Sequence, residues 1–80
     1  MYYVYVLRSP KQFYIGCTSD LKRRFQEHQS NKSISTKNRG PWKLIYYEAS
    51  LSNKDALGRE KYLKTAWGKR YVKSRVKYSM

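Results

Sequence analysis

Two neighbouring stretches near the start of the chain have the residue pattern of β-strands. Residues 2–7 are mostly aromatic and β-branched, and such side chains favour extended backbone. Residues 13–17 predict a second strand, and the Ser-Pro-Lys sequence at 9–11 predicts a turn between the two. The pattern therefore indicates a β-hairpin at the start of the chain.

A third strand is predicted from Trp42 to Ala49, after an aperiodic, polar and basic loop over residues 31–41. Simple alternation along this strand predicts two faces, with Trp42, Leu44 and Tyr46 on one and Ile45 and Tyr47 on the other.

Two helices are predicted from capping residues and apolar spacing. The first begins after Thr18 or Ser19, with Asp20 favourable in its first turn, and runs to about residue 30. The second begins at the capping-box-like Ser-Asn-Lys-Asp sequence at 52–55 and runs to about Trp67. Its predicted apolar stripe consists of Ala56, Leu63 and Trp67.

Gly68 is predicted to break or end the second helix, and residues 69–78 are expected to form a last basic helix or a frayed tail. The predicted fold class is therefore α/β (α+β): a small three-stranded antiparallel sheet flanked by two to three helices. With 80 residues and no recognisable linker, the sequence predicts a single domain over residues 1–80.

The charge balance indicates a polyanionic partner. The chain has 18 Lys and Arg against five Asp and Glu, a formal net charge of +13, and such a surface attracts nucleic acid or acidic membrane. Membrane binding is disfavoured, because the basic residues are scattered and no long apolar run is present. The single Cys17 and the absence of a recognisable leader predict a cytoplasmic location.

The predicted first helix directs two polar side chains inward. At about 100° per residue, Leu21, Phe25 and His28 share one face, and Arg24 lies beside them. Arg24 and His28 are therefore candidate site residues. The alternative is structural, with an arginine extending past the apolar edge and a half-buried histidine whose hydrogen bonds are satisfied.

Glu60 lies on the apolar stripe of the predicted second helix. An unpaired buried carboxylate would cost several kcal/mol, which is a large part of the roughly 4–12 kcal/mol expected for a chain of this length. We therefore expect Glu60 to lie at a solvated rim, to pair with a cation such as Arg24, or to bind a metal ion.

The first two predicted strands contribute tyrosines to the candidate site. Tyr5 shares a face of the first strand with Tyr3, and Tyr14 shares a face of the second with Gly16. A glycine inside a strand often marks the close approach of another backbone or a ligand. A phenol can donate or accept a hydrogen bond beside a phosphate, although core packing is the more ordinary role of a tyrosine.

In combination, these residues resemble a known family. Tyr3-Val4-Tyr5 and Tyr14-Ile15-Gly16, followed by Arg24, His28 and a downstream Glu60, resemble the motifs of the GIY-YIG nuclease superfamily in its short single-domain bacterial form. The resemblance extends over essentially the whole chain. Within this superfamily, the chain also resembles the N-terminal nuclease domain of the excision-repair incision subunit.

The resemblance implies a metal-dependent endonuclease that hydrolyses DNA phosphodiester bonds. It implies that Tyr5, Tyr14, Arg24, His28 and Glu60 surround one site. Glu60 would be the sole protein ligand of one Mg²⁺ or Mn²⁺ ion, and Arg24 would bind phosphate. A single carboxylate is compatible with Mg²⁺, which keeps several of its waters. Either Tyr5 or His28 would take the proton from water, and both assignments remain open at this point.

The family motifs are not matched everywhere. Tyr3 stands where the first motif usually has glycine, Cys17 stands where the incision nuclease often has lysine, and no asparagine follows Glu60. No histidine or aspartate at a diagnostic spacing follows Cys17, so this residue is not predicted to be a nucleophile.

The expected partner is DNA that is branched, flapped or nicked, with a role in DNA repair; RNA is less expected. The alternative function is a non-catalytic nucleic-acid-binding module, and a small RNA-associated basic protein is a third interpretation. The basic tail is expected to contact the phosphate backbone without reading sequence, or else to form a solvated cationic face. Its residues are Lys69, Arg70, Lys73, Arg75 and Lys77.

Overall fold

The computed structural model describes residues 1–10, 12–30, 32–33 and 36–78, and parts of the predicted turn, loop and tail lie outside them. The described residues form three strands and three helices. In chain order these are β1 (Tyr2–Arg8), β2 (Phe13–Thr18), α1 (Leu21–Gln29), β3 (Lys43–Ser50), α2 (Asn53–Leu63) and α3 (Ala66–Arg75).

The three strands form one antiparallel sheet in the order β2-β1-β3. β1 is the central strand, and its Tyr5 lies opposite Gly16 of β2 and Tyr47 of β3. The predicted fold class, a three-stranded antiparallel sheet with flanking helices, is therefore confirmed.

Alternate residues of β1 pack on opposite faces of the sheet, as the two-residue period of a strand requires. Val4 and Val6 join an apolar cluster with residues of α2 and α3, including Ala56 and Leu63. On the other face, a second cluster packs against α1. Its members are Tyr5, Leu7, Trp42, Tyr14, Leu21, Phe25 and Leu44.

A register shift in β3 changes which of its side chains share a face. Val6 pairs with Tyr46 and Leu7 pairs with Leu44, so Ile45 is an extra residue in β3. Such a bulge interrupts simple alternation. Ile45 and Tyr46 therefore both pack on the α2–α3 side, while Leu44 packs on the α1 side. The prediction that Tyr46 shares a face with Leu44 is wrong.

The second predicted helix is two helices that meet at a corner. α2 ends at Leu63, and α3 begins after Thr65, whose side chain accepts a hydrogen bond from the backbone N–H of Gly68. Gly68 is inside α3, where a Cβ would collide with the backbone of Tyr62 and Leu63. Trp67 is 68% exposed, so its predicted place on the apolar stripe is wrong.

A polar side chain caps the first turn of both α1 and α2. Asp20 caps α1 by accepting from the backbone N–H of Arg23 at 3.1 Å, so the cap lies one or two residues beyond the predicted Ser19 or Thr18. Ser52 caps α2 as expected, accepting from the N–H of Asp55. In the described part of the chain, no helix is both long and apolar enough to cross a membrane.

Candidate active site

Tyr5 and His28 form a buried hydrogen-bonded pair between β1 and α1. The Tyr5 hydroxyl and His28 Nε2 are 2.8 Å apart, and both residues are at most 1% exposed. On the other side of the ring, His28 Nδ1 lies 2.6 Å from Oγ1 of the equally buried Thr36. Because both ring nitrogens have partners, the orientation of the imidazole is fixed.

Gly16 makes room for the Tyr5 ring. Tyr5 and Gly16 are cross-strand partners, and a Cβ at Gly16 would lie 2.6 Å from Cζ of Tyr5. Real side chains do not approach so closely, so only glycine accommodates the ring in this position. The close approach that a strand glycine predicts is therefore made here by a tyrosine side chain.

Tyr14 covers the Tyr5–His28 pair from β2. Its ring centroid lies 5.0 Å from that of His28 and 6.2 Å from that of Tyr5, and 6.3 Å from that of Trp42 in an edge-to-face arrangement. Tyr14 is only half-buried. Unlike the buried Tyr5 and His28, Tyr14 therefore reaches towards solvent.

Arg24 lies next to the same cluster, held by two partners. Its Nη1 donates to Glu27 Oε1 at 3.0 Å, and its Nη2 donates to Ser33 Oγ at 3.3 Å. The structural partner of Arg24 is therefore Glu27, not Glu60. The Glu27 carboxylate raises the pKa of Arg24, and the Arg24 guanidinium in turn lowers the pKa of Glu27. The side chain remains 33% exposed.

Burial and the nearby positive charge set the protonation states of the pair. Burial raises the pKa of Tyr5 to about 12, against an opposing effect of the Arg24 guanidinium. Burial and the same guanidinium lower the pKa of His28, with Glu27 acting in the other direction. At neutral pH, Tyr5 is therefore a phenol and His28 is a neutral imidazole.

Glu60 reaches the sheet from the opposite face. It belongs to α2, its side chain is 22% exposed, and its carboxylate lies 3.5 Å from Lys64 Nζ. Burial, and secondarily the charge of Glu60, raise the pKa of Cys17, the residue after Gly16 in the edge strand β2. Within the described residues, Glu60 makes no hydrogen bond or ion pair with Tyr5, Tyr14, Arg24 or His28.

The other four acidic residues all have structural roles. Asp20 caps α1, Asp55 lies in the first turn of α2 and Glu27 holds Arg24. Glu48 accepts from Nε and Nη2 of Arg59 at 2.8 and 2.6 Å. Among the residues that the structure describes, Glu60 pairs only with the exposed Lys64 four residues away, and such a pair typically contributes about 0.3–0.5 kcal/mol. The Glu60 carboxylate is therefore partly exposed and only weakly paired.

The arrangement fits some metal ions better than others. No group of three or more His, Cys, Asp or Glu side chains comes together in the described part of the chain, so a protein cage of the zinc type is not formed there. Mg²⁺ is often bound through one or two carboxylates together with substrate phosphates and water. The rim position of Glu60 fits a metal ion of that kind.

Two parts of the site were missed in the sequence. Glu27 lies three residues after Arg24, a spacing that places them side by side on a helix, so this pair was accessible to sequence reasoning. Ser33 and Thr36 come from the aperiodic loop. No local pattern marks them, and Thr36 is held partly through its carbonyl, which accepts from Trp42 Nε1 at 3.2 Å.

Comparisons with known proteins identify the family of this chain. A family model described as the GIY-YIG catalytic domain matches residues 1–73. This chain belongs to the GIY-YIG family. The five candidate residues all lie within the matched region, and the family is of nuclease type.

Similar proteins share the GIY-YIG domain over most of its length. A UPF0213 protein of Limosilactobacillus reuteri is 46% identical over 67 residues, covering 79% of this chain and 70% of that one. A UPF0213 protein of Syntrophus aciditrophicus is 42% identical over 65 residues, covering 78% and 75%. The solution NMR structure of the UPF0213 protein BH0048 from Bacillus halodurans superimposes with a TM-score of 0.58 at 32% identity, covering 91% and 82%.

Proposed function

We propose that this GIY-YIG protein is a divalent-metal-dependent endonuclease that hydrolyses phosphodiester bonds in DNA. The observation that carries the proposal is the hydrogen-bonded pair of Tyr5 and His28, with Tyr14 and Arg24 beside it. Glu60 lies on the other face of the sheet, near Cys17 of β2, the edge strand that also carries Tyr14. These groups supply a proton acceptor, a phosphate-binding cation and a carboxylate for a metal ion.

The hydrogen bonds around His28 support a division of labour in proton transfer. Either neutral tautomer satisfies both contacts, and the scheme uses the one in which Nδ1–H donates to Thr36 and Nε2 accepts from the Tyr5 hydroxyl. A phenol with a pKa of about 12 is not ionised at neutral pH. Tyr5 therefore accepts the proton of water only as its own proton moves to Nε2 of His28.

The products of this transfer are a hydroxide, a neutral Tyr5 and a His28 imidazolium. The hydroxide oxygen forms the new bond to phosphorus, and the bond from phosphorus to the leaving oxygen breaks. In this scheme Tyr5 touches the water and His28 stores the proton. The two residues that the sequence left as alternatives thus act in series.

Arg24 is suited to bind the phosphate that is attacked. Its guanidinium is charged at every relevant pH, and its fork geometry matches phosphate oxygens. Glu27 and Ser33 hold one edge of the group. The partly exposed side chain retains N–H donors for the substrate.

Glu60 would hold the Mg²⁺ or Mn²⁺ ion. When bound, such an ion neutralises charge that develops on phosphate oxygens. The carboxylate lies at a partly exposed rim and is paired only weakly with Lys64. A metal ion that displaces the lysine would therefore cost the protein little stability.

The expected substrate is DNA with a branch, flap or nick, and the expected setting is DNA repair. The +13 net charge supports a nucleic-acid substrate. The described residues form a small sheet with short helices and no separate sequence-reading element. Recognition by the shape of the DNA therefore suits this chain better than recognition by base sequence.

A cleavage assay with matched carboxylate variants tests the proposal. Purified protein is incubated with branched, flapped and nicked DNA in Mg²⁺ or Mn²⁺. Glu60→Gln is expected to lower the cleavage rate at least about 100-fold, the scale of loss expected when a key transition-state interaction is removed. Asp55→Asn removes a carboxylate from the same helix, away from the edge strand, and is expected to cut at nearly the wild-type rate.

Two results would contradict the nuclease assignment. One is a wild-type protein that cuts none of these substrates with either metal, and the other is Glu60→Gln cutting as fast as wild type. Metal-independent DNA binding without cleavage would instead favour the non-catalytic binding module.

A further inference from the structure

A basic cleft lies where β2 meets the corner between α2 and α3. It has a volume of about 510 Å³ and an apolar floor. Its rim carries Phe13 and Tyr14 from β2, Lys64 from the corner, and Lys69 and Lys73 from α3. We call this feature the lysine cleft.

The three lysines of the cleft are exposed. Lys69 and Lys73 are exposed, and neither has an ion-pair partner in the described part of the chain. They are four residues apart on α3, a rise of about 6 Å along the helix axis. Lys64 is 57% exposed, with Glu60 as its partner.

Other cations of the basic tail are engaged differently. Arg70 stacks over Trp67 at 5.1 Å, and Arg75 lies over Tyr71 at 6.0 Å. Such cation–π contacts hold a side chain against its own protein surface. Lys77 likewise lies over Tyr78 at 5.1 Å. Within the described residues, the tail therefore divides into cations stacked on rings and the unpaired Lys69 and Lys73, which line one cleft.

The cleft connects the two parts of the candidate active site. Tyr14 lines the cleft and also packs against His28 with its ring. Lys64 lines the cleft and also pairs with Glu60. A chain of phosphates in the cleft would therefore run beside both the aromatic cluster and the carboxylate.

We propose that the lysine cleft binds the sugar-phosphate backbone of the DNA strand that is cut, directly next to the scissile phosphate. This proposal rests on the proposed function and adds the path of the strand. The roughly 6 Å axial spacing of Lys69 and Lys73 is close to two steps of a strand that has one phosphate per about 3.4 Å. Phe13, 39% exposed at the rim, offers an apolar surface to a sugar or base.

The test is the salt dependence of DNA binding, measured without divalent metal so that no cleavage occurs. A labelled flapped DNA is titrated by fluorescence anisotropy at several salt concentrations between about 50 and 200 mM. The cleft variant is Lys64→Gln/Lys69→Gln/Lys73→Gln. The control variant, Lys32→Gln/Lys43→Gln/Lys54→Gln, removes the same charge at exposed lysines that do not line the cleft.

The cleft variant is expected to lose about two to three units from the slope of log K against log salt, since each phosphate contact contributes about 0.9. Its affinity at low salt should fall by about tenfold or more, and the control should change less than half as much. Equal losses in the two variants would overturn the proposal, because binding would then follow net charge and not position.

A second measurement keeps the proposal testable if the cleft variant folds poorly. Wild-type protein labelled with ¹⁵N is titrated with the same DNA, and amide shifts are expected at Phe13, Tyr14 and Val72. Shifts confined to other surfaces would overturn the cleft. Cleft-dependent binding by a wild-type protein that never cuts DNA would support the cleft while contradicting the nuclease.

Discussion

The two faces of the sheet treat their polar groups in opposite ways. On the α1 face, Tyr5, His28 and Thr36 are buried, and each side chain is hydrogen-bonded to another. On the α2–α3 face, the Glu60 side chain is partly exposed and the Lys69 side chain is exposed. The first arrangement suits the transfer of a proton between fixed atoms, and the second suits the exchange of water for phosphate.

This difference predicts separate consequences for stability and binding. Removing one partner of a buried hydrogen bond costs about 1–3 kcal/mol, because the other partner is left unsatisfied. An exposed charge contributes about 0–1 kcal/mol to folding. Substitutions on the α1 face should therefore affect both folding and activity, whereas substitutions of Lys69 and Lys73 should weaken DNA binding with little effect on folding.

The largest effect is expected from His28→Ala. The change leaves a cavity and removes the partner of two buried hydroxyls, those of Tyr5 and Thr36. We expect the free energy of unfolding to fall by about 3–5 kcal/mol, measured by urea denaturation. A loss below about 1 kcal/mol would show that the histidine is not the centre of the buried network.

Alkaline pH is the next largest perturbation. The Tyr5 pKa of about 12 in the folded protein exceeds the usual phenol value of about 10. Between these values the unfolded chain loses a proton that the folded protein keeps, so stability falls as the pH rises from 10 to 12. The share from Tyr5 is roughly 2–3 kcal/mol at 1.36 kcal/mol per pKa unit.

The comparison of wild type with Tyr5→Phe isolates this share, because the other tyrosines and the lysines titrate in both proteins. Above pH 10 the unfolding free energy of wild type should fall more steeply than that of Tyr5→Phe. A difference that is constant across this range would contradict burial of the phenol. On the acid side, the lowered pKa of His28 predicts stability lost as the pH falls below its unfolded value of about 6.5.

Gly16→Ala should disturb the Tyr5 ring directly. The added methyl would meet Cζ of Tyr5 at 2.6 Å, so the ring must move away from His28. We expect a loss of about 1–3 kcal/mol in stability and a larger loss of nuclease activity. Gly58→Ala is the matched control, since no heavy atom lies within 4 Å of a Cβ there; helix propensity predicts a gain of about 0.5–1 kcal/mol. Equal effects at both glycines would contradict the close approach.

The smallest effect is expected from Thr36→Val, which removes the hydroxyl from His28 Nδ1. The cost in stability should be about 1–2 kcal/mol. The acidic limb of the pH–rate profile should shift because the imidazole loses its hydrogen bond at Nδ1. Thr36→Ser keeps the hydroxyl and should restore the profile, as seen by rates and by ¹⁵N shifts of the His28 ring. A profile unchanged in Thr36→Val would show that Thr36 only fills space.

Much of the candidate site could be predicted because helical and strand periods are local. The 3.6-residue period placed Arg24 and His28 on the inward side of the first helix, and both lie beside Tyr5. The same reasoning failed for Tyr46, because one extra residue in β3 reversed the alternation. It failed again for Trp67, because a helix corner turned this residue outward while Ala56 and Leu63 of the same stripe stayed buried.

The sequence by itself determined what depends on neighbouring residues: the strand and helix types, the caps, the basic charge and the family motifs. The tertiary structure alone decided the long-range partners: it placed Thr36 against His28 and kept Glu60 apart from Arg24, whose partner Glu27 is local in the helix. It also placed Tyr14 beside Lys64 in one cleft. The physical reason is that hydrogen bonds and ion pairs form between atoms brought close by packing, and a β-bulge or a helix corner of one or two residues changes which atoms these are.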